Sequence, residues 1–343
     1  MRDLSSTAGR GRRGPRRAWH SCPVTVWRAN GYLAGGPRTG PCVATLGVFD
    51  GVHVGHRRVV DRACEVAAAA GGTEPLPVVA VTFDPHPTAV FAPDRAPLAL
   101  TTVHQRATLL RDAGAAEVRA LAFDRAMASW SPEEFVERVL LGELKAAGVV
   151  VGSNFTYGTK AGGNVDTLAA SGREHGFTVD VLPLEEAASG TVSSSTYIRA
   201  MLAAGDVEAA RRALGRPHSL CGVVVEGDKR GRAMGFPTAN VAPPTGFAVP
   251  ADGVYAGWLT RLDDGTRYPA AISVGTNPTF DGVSRRVESY VLDRDDLDLY
   301  GVEVEIAFSH RVRGQVRFDS MDELVARMHL DVAEVREVLA PQP

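Results

Sequence analysis

Lysine is almost missing from this chain: of its 37 basic residues only Lys145, Lys160 and Lys229 are lysines. The last two stand in glycine-rich segments, where a compact ammonium can meet a phosphate. The four cysteines, Cys22, Cys42, Cys64 and Cys221, include no C-x-x-C pair and no histidine partner at metal-ligand spacing. That excludes a thiolate metal site and leaves free thiols, as expected in a reducing cytoplasm. No apolar run approaches the ~20 residues a membrane helix needs, and no signal-peptide core follows the N-terminal arginines, so a cytoplasmic protein is expected. An excess of one charge is missing too: 37 basic against 40 acidic residues leave a net of −3. Neither nucleic acid nor a membrane is favoured as partner; small molecules are, and oligomeric state is not legible.

What is present is length enough, at 343 residues, for about two domains with cores of their own. Residues 1–20 hold Arg2, Arg10, Arg12, Arg13, Arg16 and Arg17 against one acid, Asp3, and read as a disordered basic extension. From residue 40 to 214 short β-branched runs alternate with helical periods. The runs are Val43 to Phe49, Val78 to Phe83, Val118 to Phe123, Val149 to Val151 and Phe177 to Leu182. Ser131-Pro132-Glu133-Glu134 supplies an N-cap, a first-turn proline and a capping-box glutamate. This alternation predicts an α/β domain with a parallel sheet whose ligands bind beyond the C-terminal strand ends.

A helix from Asp206 to Leu214, ending at Gly215 and followed by Arg216-Pro217, marks the domain boundary. Residues 216–343 then change pattern. Val223 to Val225, Val254 to Leu259, Ala270 to Val274, Val287 to Leu292 and Val302 to Phe308 read as antiparallel strands of a small β-barrel. A helix opened by a capping box at Ser320 to Glu323 closes the chain, with Leu324, Val325, Met328, Val332 and Val335 on its apolar face.

Two constellations carry chemistry. In the first, His53-Val54-Gly55-His56 follows the first strand and opens a helix, so two imidazoles and the helix N-terminus share one space. Alone, two histidines in a strand-to-helix turn are equally an ordinary turn. However, Ser194-Ser195-Thr196-Tyr197-Ile198-Arg199 sets three hydroxyls and an arginine at a second helix N-terminus on the same sheet edge. Two more loops follow strands: Thr82-Phe83-Asp84-Pro85-His86-Pro87, and Gly152 to Gly158 with Asn154 and Phe155 for hydrogen bonding and stacking to a flat heterocycle.

In the second, the cationic glycine loop Gly227-Asp228-Lys229-Arg230-Gly231-Arg232 precedes a proline-fixed turn, Gly235-Phe236-Pro237-Thr238-Ala239-Asn240. Thr238 and Asn240 offer hard oxygens suited to Mg2+. Glu288 shares a strand face with Tyr290 and Leu292; it is either a solvated edge residue or a carboxylate in a partly apolar pocket.

The H-x-G-H and S-S-T-x-I-R pair resembles the nucleotidylyltransferase superfamily. Gly235 to Asn240, Pro250 to Tyr255, Ser273 to Phe280, Glu288 and Asp298 to Gly301 match the riboflavin kinase family in order. From about residue 43 to 340 the chain therefore resembles the bacterial bifunctional riboflavin kinase/FMN adenylyltransferases. The resemblance implies a Rossmann-like nucleotidylyltransferase domain followed by a six-stranded barrel with a closing helix. It implies riboflavin and ATP giving FMN and ADP, with Glu288 as base and Mg2+ on Thr238 and Asn240. A second ATP then gives FAD and pyrophosphate with His53, His56, Ser195, Thr196 and Arg199 assisting. Gly47, Phe49, Asp50, Gly55 and Ser194 at one site, and Gly227, Lys229, Gly231 and Arg232 at the other, are implied to meet nucleotide, while Phe83, Asp84, Pro85, Asn154 and Phe155 are implied to meet flavin. Ser153, Thr156, Glu226 and Met328 depart from the family's usual residues at their positions. A different adenylyl or cytidylyltransferase, and a flavin sensor without catalysis, are the competing readings.

Overall fold

The computed structural model describes residues 25–28, 31–34, 37–183, 193–227, 231, 234–279 and 282–340. The basic extension expected at residues 1–20 lies outside them. The first half is a seven-stranded sheet in the order β2-β1-β5-β4-β3-β6-β7. These strands are β1 (Thr25–Arg28), β2 (Gly31–Ala34), β3 (Cys42–Leu46), β4 (Val78–Asp84), β5 (Glu117–Ala122), β6 (Ala146–Gly152) and β7 (Thr178–Leu182). Every neighbouring pair is parallel except the antiparallel β1–β2 edge. The five strands read from β-branched runs are present, and β1 and β2, which were not anticipated, extend them. In β3 and β6 nearly every residue is buried because both faces are covered.

Helices α1 (Val54–Ala70), α2 (Pro87–Phe91), α3 (Val103–Asp112), α4 (Arg125–Ala128), α5 (Pro132–Phe135, continuing as a π turn to Glu143) and α6 (Val165–His175) connect them. Ser131 caps α5 with the expected reciprocal bond from Glu134. The order runs β3-β4-β5 in one direction and β6-β7 in the other, so the switch point lies at the C-terminal end of β3. In such sheets the ligand crevice opens there.

Helices α7 (Ser195–Ala204) and α8 (Val207–Leu214, capped by Asp206 and ended by left-handed Gly215) lead into the second half. That half is a closed six-stranded barrel in the order β10-β11-β12-β9-β8-β13, every pair antiparallel. The strands are β8 (His218–Val225), β9 (Thr238–Val241), β10 (Gly253–Arg261), β11 (Arg267–Thr279), β12 (Gly282–Val291) and β13 (Glu303–Gly314). Thr238–Val241, expected as a turn, is a strand: Pro237 fixes only its entry, and pairing with β8 and β12 makes the ladder. On β13, Val304, Ile306 and Phe308 are fully buried while Glu303 and Glu305 are not, as the alternation predicts.

The barrel core does not stop at Gly215. Ile198, Leu202, Val207 and Leu214 from α7 and α8, with Leu100, form one cluster with Tyr255, Ile272, Val287, Ile306 and Phe308. The closing helix α9 (Met321–Leu339) lies on the outer barrel face and buries Val335 against Ala256, Ala271 and Leu292. Its inner face is not purely apolar, since buried Asp331 is clasped by Arg313 (2.7 Å) and Arg327 (2.8 Å). The Glu323 carboxylate accepts from the Asp319 amide rather than returning to Ser320.

Candidate active sites

At the end of β3 the backbone makes a tight loop: Phe49 and Val52 have φ of 51° and 41°, and Gly51 has 81°. For a β-branched valine this left-handed conformation is an outlier, held only when the surroundings over-determine it. The loop turns His53 into the N-cap of α1, its Nδ1 accepting from the His56 amide at 3.4 Å. The two imidazoles stack with centroids 3.6 Å apart. Gly55 lets the chain pass close there: a Cβ would lie 3.2 Å from the His53 ring and press it to shift.

Burial lowers His53 to about 4, helped by the nearby Arg216 charge and opposed by Asp50. Burial, then the His53 and Arg106 charges, holds His56 well below the usual histidine range. Both rings are therefore neutral near pH 7 and act as hydrogen-bond groups rather than as cations.

The histidines line a cleft of about 1110 Å³. Its lining is polar at Gly47, Gly55, Ser193, Ser194, Ser195 and Asn154, and aromatic at Phe83, Phe91, Phe123, Phe135, Phe155 and Tyr157. Phe123 meets Phe83 and Phe91 edge-on at 5.8 and 5.7 Å, and Phe155 stacks on Tyr157 at 5.7 Å. Phe49 lies over His56 edge-on at 5.2 Å.

Five other expected residues stand outside the cleft lining: Asp50, Asp84, Pro85, Thr196 and Arg199. Asp84, Pro85 and Thr196 are exposed. The Asp50 carboxylate points the other way and accepts from the Leu100 amide at 3.0 Å and the Thr101 amide at 3.1 Å. Arg199 donates to the same carboxylate and, at 2.6 Å, to the Leu98 carbonyl. Asp50 is therefore a clamp that orients Arg199. Sequence reasoning named no role for Arg58, His86, Phe91, Phe123 and Tyr157, all in the cleft. Their available signal was position, since Phe123 and His86 come just after the C-terminal ends of β5 and β4. Lys160, singled out by its scarcity, also lines the cleft, in a left-handed turn with φ of 54°.

In the barrel, register places Glu288 opposite Asn240 and Tyr290 opposite Thr238. These four alternate with Ala239, Val241, Val287, Ser289 and Val291, which are buried, so they share the opposite face, and Tyr290 packs against the cluster under α9. Glu288 is thus half-buried rather than a solvated edge residue. The Thr238 hydroxyl donates to Glu288 Oε2 at 3.5 Å, and Asn240 Nδ2 donates to the Thr238 carbonyl at 3.3 Å. Asn240 Oδ1 is buried and has no hydrogen-bond donor among the described residues. Gly227 packs on it so closely that a Cβ would lie 2.5 Å from the Asn240 amide, and a Cβ on Gly231 would strike the Phe236 carbonyl at 2.4 Å. A small cavity of about 60 Å³ touches Gly227, Thr238, Asn240 and Ser289. Lys229 and Arg232 lie outside the described residues.

The comparisons divide the chain where the two folds do. A family model described as FAD synthetase matches residues 37–196, and one described as riboflavin kinase matches residues 214–339. Proteins named bifunctional riboflavin kinase/FMN adenylyltransferase are 35% identical over 306 residues in Escherichia coli K12 (89% of this chain, 95% of that protein) and 37% identical over 302 residues in Pseudomonas fluorescens (88% and 94%). The chain belongs to the bifunctional riboflavin kinase/FMN adenylyltransferase family. A solved structure titled a macrolide-efflux protein, from Streptococcus pneumoniae, superposes with a TM-score of 0.77 at 32% identity, covering 87% of this chain and 95% of that one. No helix among the described residues is long and apolar enough to cross a membrane. Cys42, Cys64 and Cys221 are free thiols, and burial pushes Cys42 up to about 11.

The two matched regions correspond to the sheet and the barrel. Residues between them, in α7 and α8, belong to neither match and pack into the barrel core.

Proposed function

We propose that the barrel transfers the γ-phosphoryl group of ATP to riboflavin and that the sheet domain then transfers the adenylyl group of a second ATP to the FMN formed, giving FAD and pyrophosphate. The observation that carries the two-step reading is the convergence of Thr238, Asn240 and Glu288 on one face of two paired strands. A regulatory barrel attached to some other nucleotidylyltransferase would have no use for it.

In the kinase step the ribityl alcohol must lose its proton as it attacks phosphorus, and Glu288 is the carboxylate placed to accept it. The Thr238 hydroxyl, 3.5 Å away, steadies that carboxylate. The donor set fits Mg2+: a threonine hydroxyl, and an asparagine oxygen that is buried and otherwise unsatisfied. When bound on Thr238 and Asn240, the ion would neutralise charge on the ATP phosphates. Gly227 and Gly231 keep the backbone close enough for phosphates to approach.

In the adenylyl step the nucleophile is itself a phosphate and needs no base, so charge stabilisation is the whole task. The neutral His53 and His56 donate hydrogen bonds toward the α-phosphate and the departing pyrophosphate. Ser194 and Ser195, at the start of α7, add hydroxyls and a helix N-terminus. The aromatic side chains of the cleft, with Asn154, suit the isoalloxazine ring.

The test is to incubate the protein with riboflavin, ATP and Mg2+ and to resolve riboflavin, FMN and FAD with time. FMN followed by FAD is expected. FMN alone would confine activity to the barrel, and no product would revive the sensor.

A further inference from the structure

The strained loop that presents His53 is held by a residue from the other half of the chain. The Arg216 guanidinium donates to the carbonyl of Gly51 at 2.8 Å and to that of Val52 at 3.4 Å. Those two carbonyls belong to the peptides on either side of Val52, whose φ of 41° is the least comfortable in the loop. The same side chain reaches the Leu214 carbonyl at the end of α8 at 3.5 Å. Arg216 lies inside the segment matched as riboflavin kinase and beyond the segment matched as FAD synthetase.

A second set of bonds ties the loop to the barrel from the opposite side. Gly51 donates to the Thr101 hydroxyl at 3.1 Å, and Leu100 and Thr101 hold Asp50. The adjoining Ala99 forms a parallel bridge with Phe247 of the barrel, donating to the Gly246 carbonyl at 2.7 Å and accepting from the Ala248 amide at 2.9 Å. The loop is thus gripped between Arg216 and the residue 98–101 segment, and both grips are anchored on the barrel.

We propose that Arg216 is a positioning residue for adenylyl transfer: the kinase segment supplies the guanidinium that fixes the His53–His56 turn of the other site. This rests on the adenylyl-transfer reading above. A strained turn with its carbonyls released relaxes toward allowed dihedrals, which withdraws both imidazoles from the reacting phosphates. Displacement of about 1 Å at such a site costs on the order of 100-fold in rate.

The test compares wild type, Arg216→Met and Arg216→Lys in the full chain, measuring each half-reaction separately. With FMN and ATP supplied, Arg216→Met is expected to lower kcat for FAD formation roughly 10- to 100-fold, with KM values altered less than about threefold. Riboflavin phosphorylation by the same preparation should stay within about twofold, which also reports that the chain is folded. Arg216→Lys, a single point charge unable to span both carbonyls, should fall between the two.

A pH profile supplies a readout that a passive tether would not move. The charges acting on the two imidazoles are those of Arg216, Asp50 and Arg106, with Arg58, Lys160 and His86 in the same cleft. Removing the Arg216 cation raises His53 from its depressed value, so the acid limb of FAD formation should move to higher pH in Arg216→Met. Equal FAD formation by variant and wild type, or a parallel loss of both half-reactions, would overturn the proposal. If Arg216→Met fails to fold, Arg216→Lys decides: a wild-type kcat for FAD formation sinks the idea. A wild-type protein making no FAD from FMN would instead remove the reading on which the proposal stands.

Discussion

The two sites of this chain are built in different ways. In the sheet domain the proposed chemistry sits on loops after strand ends, aimed by caps and by a strained turn, around a cleft of about 1110 Å³. In the barrel it sits on the strands themselves, with Thr238, Asn240 and Glu288 aligned by ladder register and touching a cavity of only about 60 Å³ through Thr238 and Asn240. The difference follows from the tasks. A site that joins two nucleotides must hold both, and it needs neutral hydrogen-bond donors at a developing charge. A site that deprotonates an alcohol needs one carboxylate at one distance, which a sheet fixes with no further device.

The largest effect should come from Glu288→Gln. It removes the proposed proton acceptor while keeping the shape of the strand pair. A loss of about 10³-fold in FMN formation from riboflavin is expected, with FAD formation from supplied FMN within about twofold of wild type. Loss of both activities in a folded variant would break the division of labour.

His56→Ala probes the other side. FAD formation should fall roughly 10²- to 10³-fold while FMN accumulates normally. His53→Ala should fall at the severe end of that range, because it also removes the cap that accepts from the His56 amide.

The contrast between the sites also explains how much could be read beforehand. The H-x-G-H and S-S-T-x-I-R motifs are local, and both appear where the chain says they should: directly after β3 and at the start of α7. The barrel's strands were legible one by one, because Val302 to Phe308 alternates over a half-buried face. What was not legible depends on partners far apart in sequence. Thr238–Val241 read as a turn because Gly235 and Pro237 punctuate it, and its strand character is supplied by β8 and β12. The Asp50–Arg199 ion pair, between residues 149 positions apart, left no local trace. Nor did Asp331 on the closing helix, whose partner Arg313 lies on β13. The strands Thr25–Arg28 and Gly31–Ala34 are four residues each, too short to stand out beside an arginine-rich segment.

Cooperativity between the halves can be tested at α7. Leu202 is fully buried among barrel residues, and its carbonyl accepts from the Ala251 amide at 2.9 Å. Leu202→Ala should cost about 3 kcal/mol of unfolding free energy, the usual range for an emptied leucine site. Because the cluster includes Leu100, whose segment also grips the barrel, denaturation followed by a sheet-domain probe and by a barrel probe should shift together. If only one transition moves, the sheet and the barrel are energetically separate despite their shared core, and a cut at Gly215 would leave each half folded.

The smallest effect is in pH, and its sign is fixed by burial. His53 and His218 are each depressed to about 4 in the folded chain, chiefly by burial, and His56 lies well below its usual value for the same reason. Unfolding returns all three to about 6.5. Below that value the unfolded chain binds more protons than the folded one, so stability falls as pH drops from about 6.5 toward 4 and is flat with respect to these groups near pH 8. Between pH 7 and 6, His53 and His218 together should remove about 1 kcal/mol, with His56 adding in the same direction. Urea midpoints measured at pH 8, 7 and 6 check this, and His218→Gln should reduce the slope. His218 lies on β8, its Nε2 2.9 Å from the Ala248 carbonyl, at the seam where the barrel grips the residue 98–101 segment. Acid lability is therefore concentrated at the adenylyl site and its anchorage, whereas the Thr238–Asn240–Glu288 face has no buried histidine among its partners in the described residues. On mild acidification FAD formation should consequently fail before FMN formation, and the reverse order would contradict the contrast between the two sites.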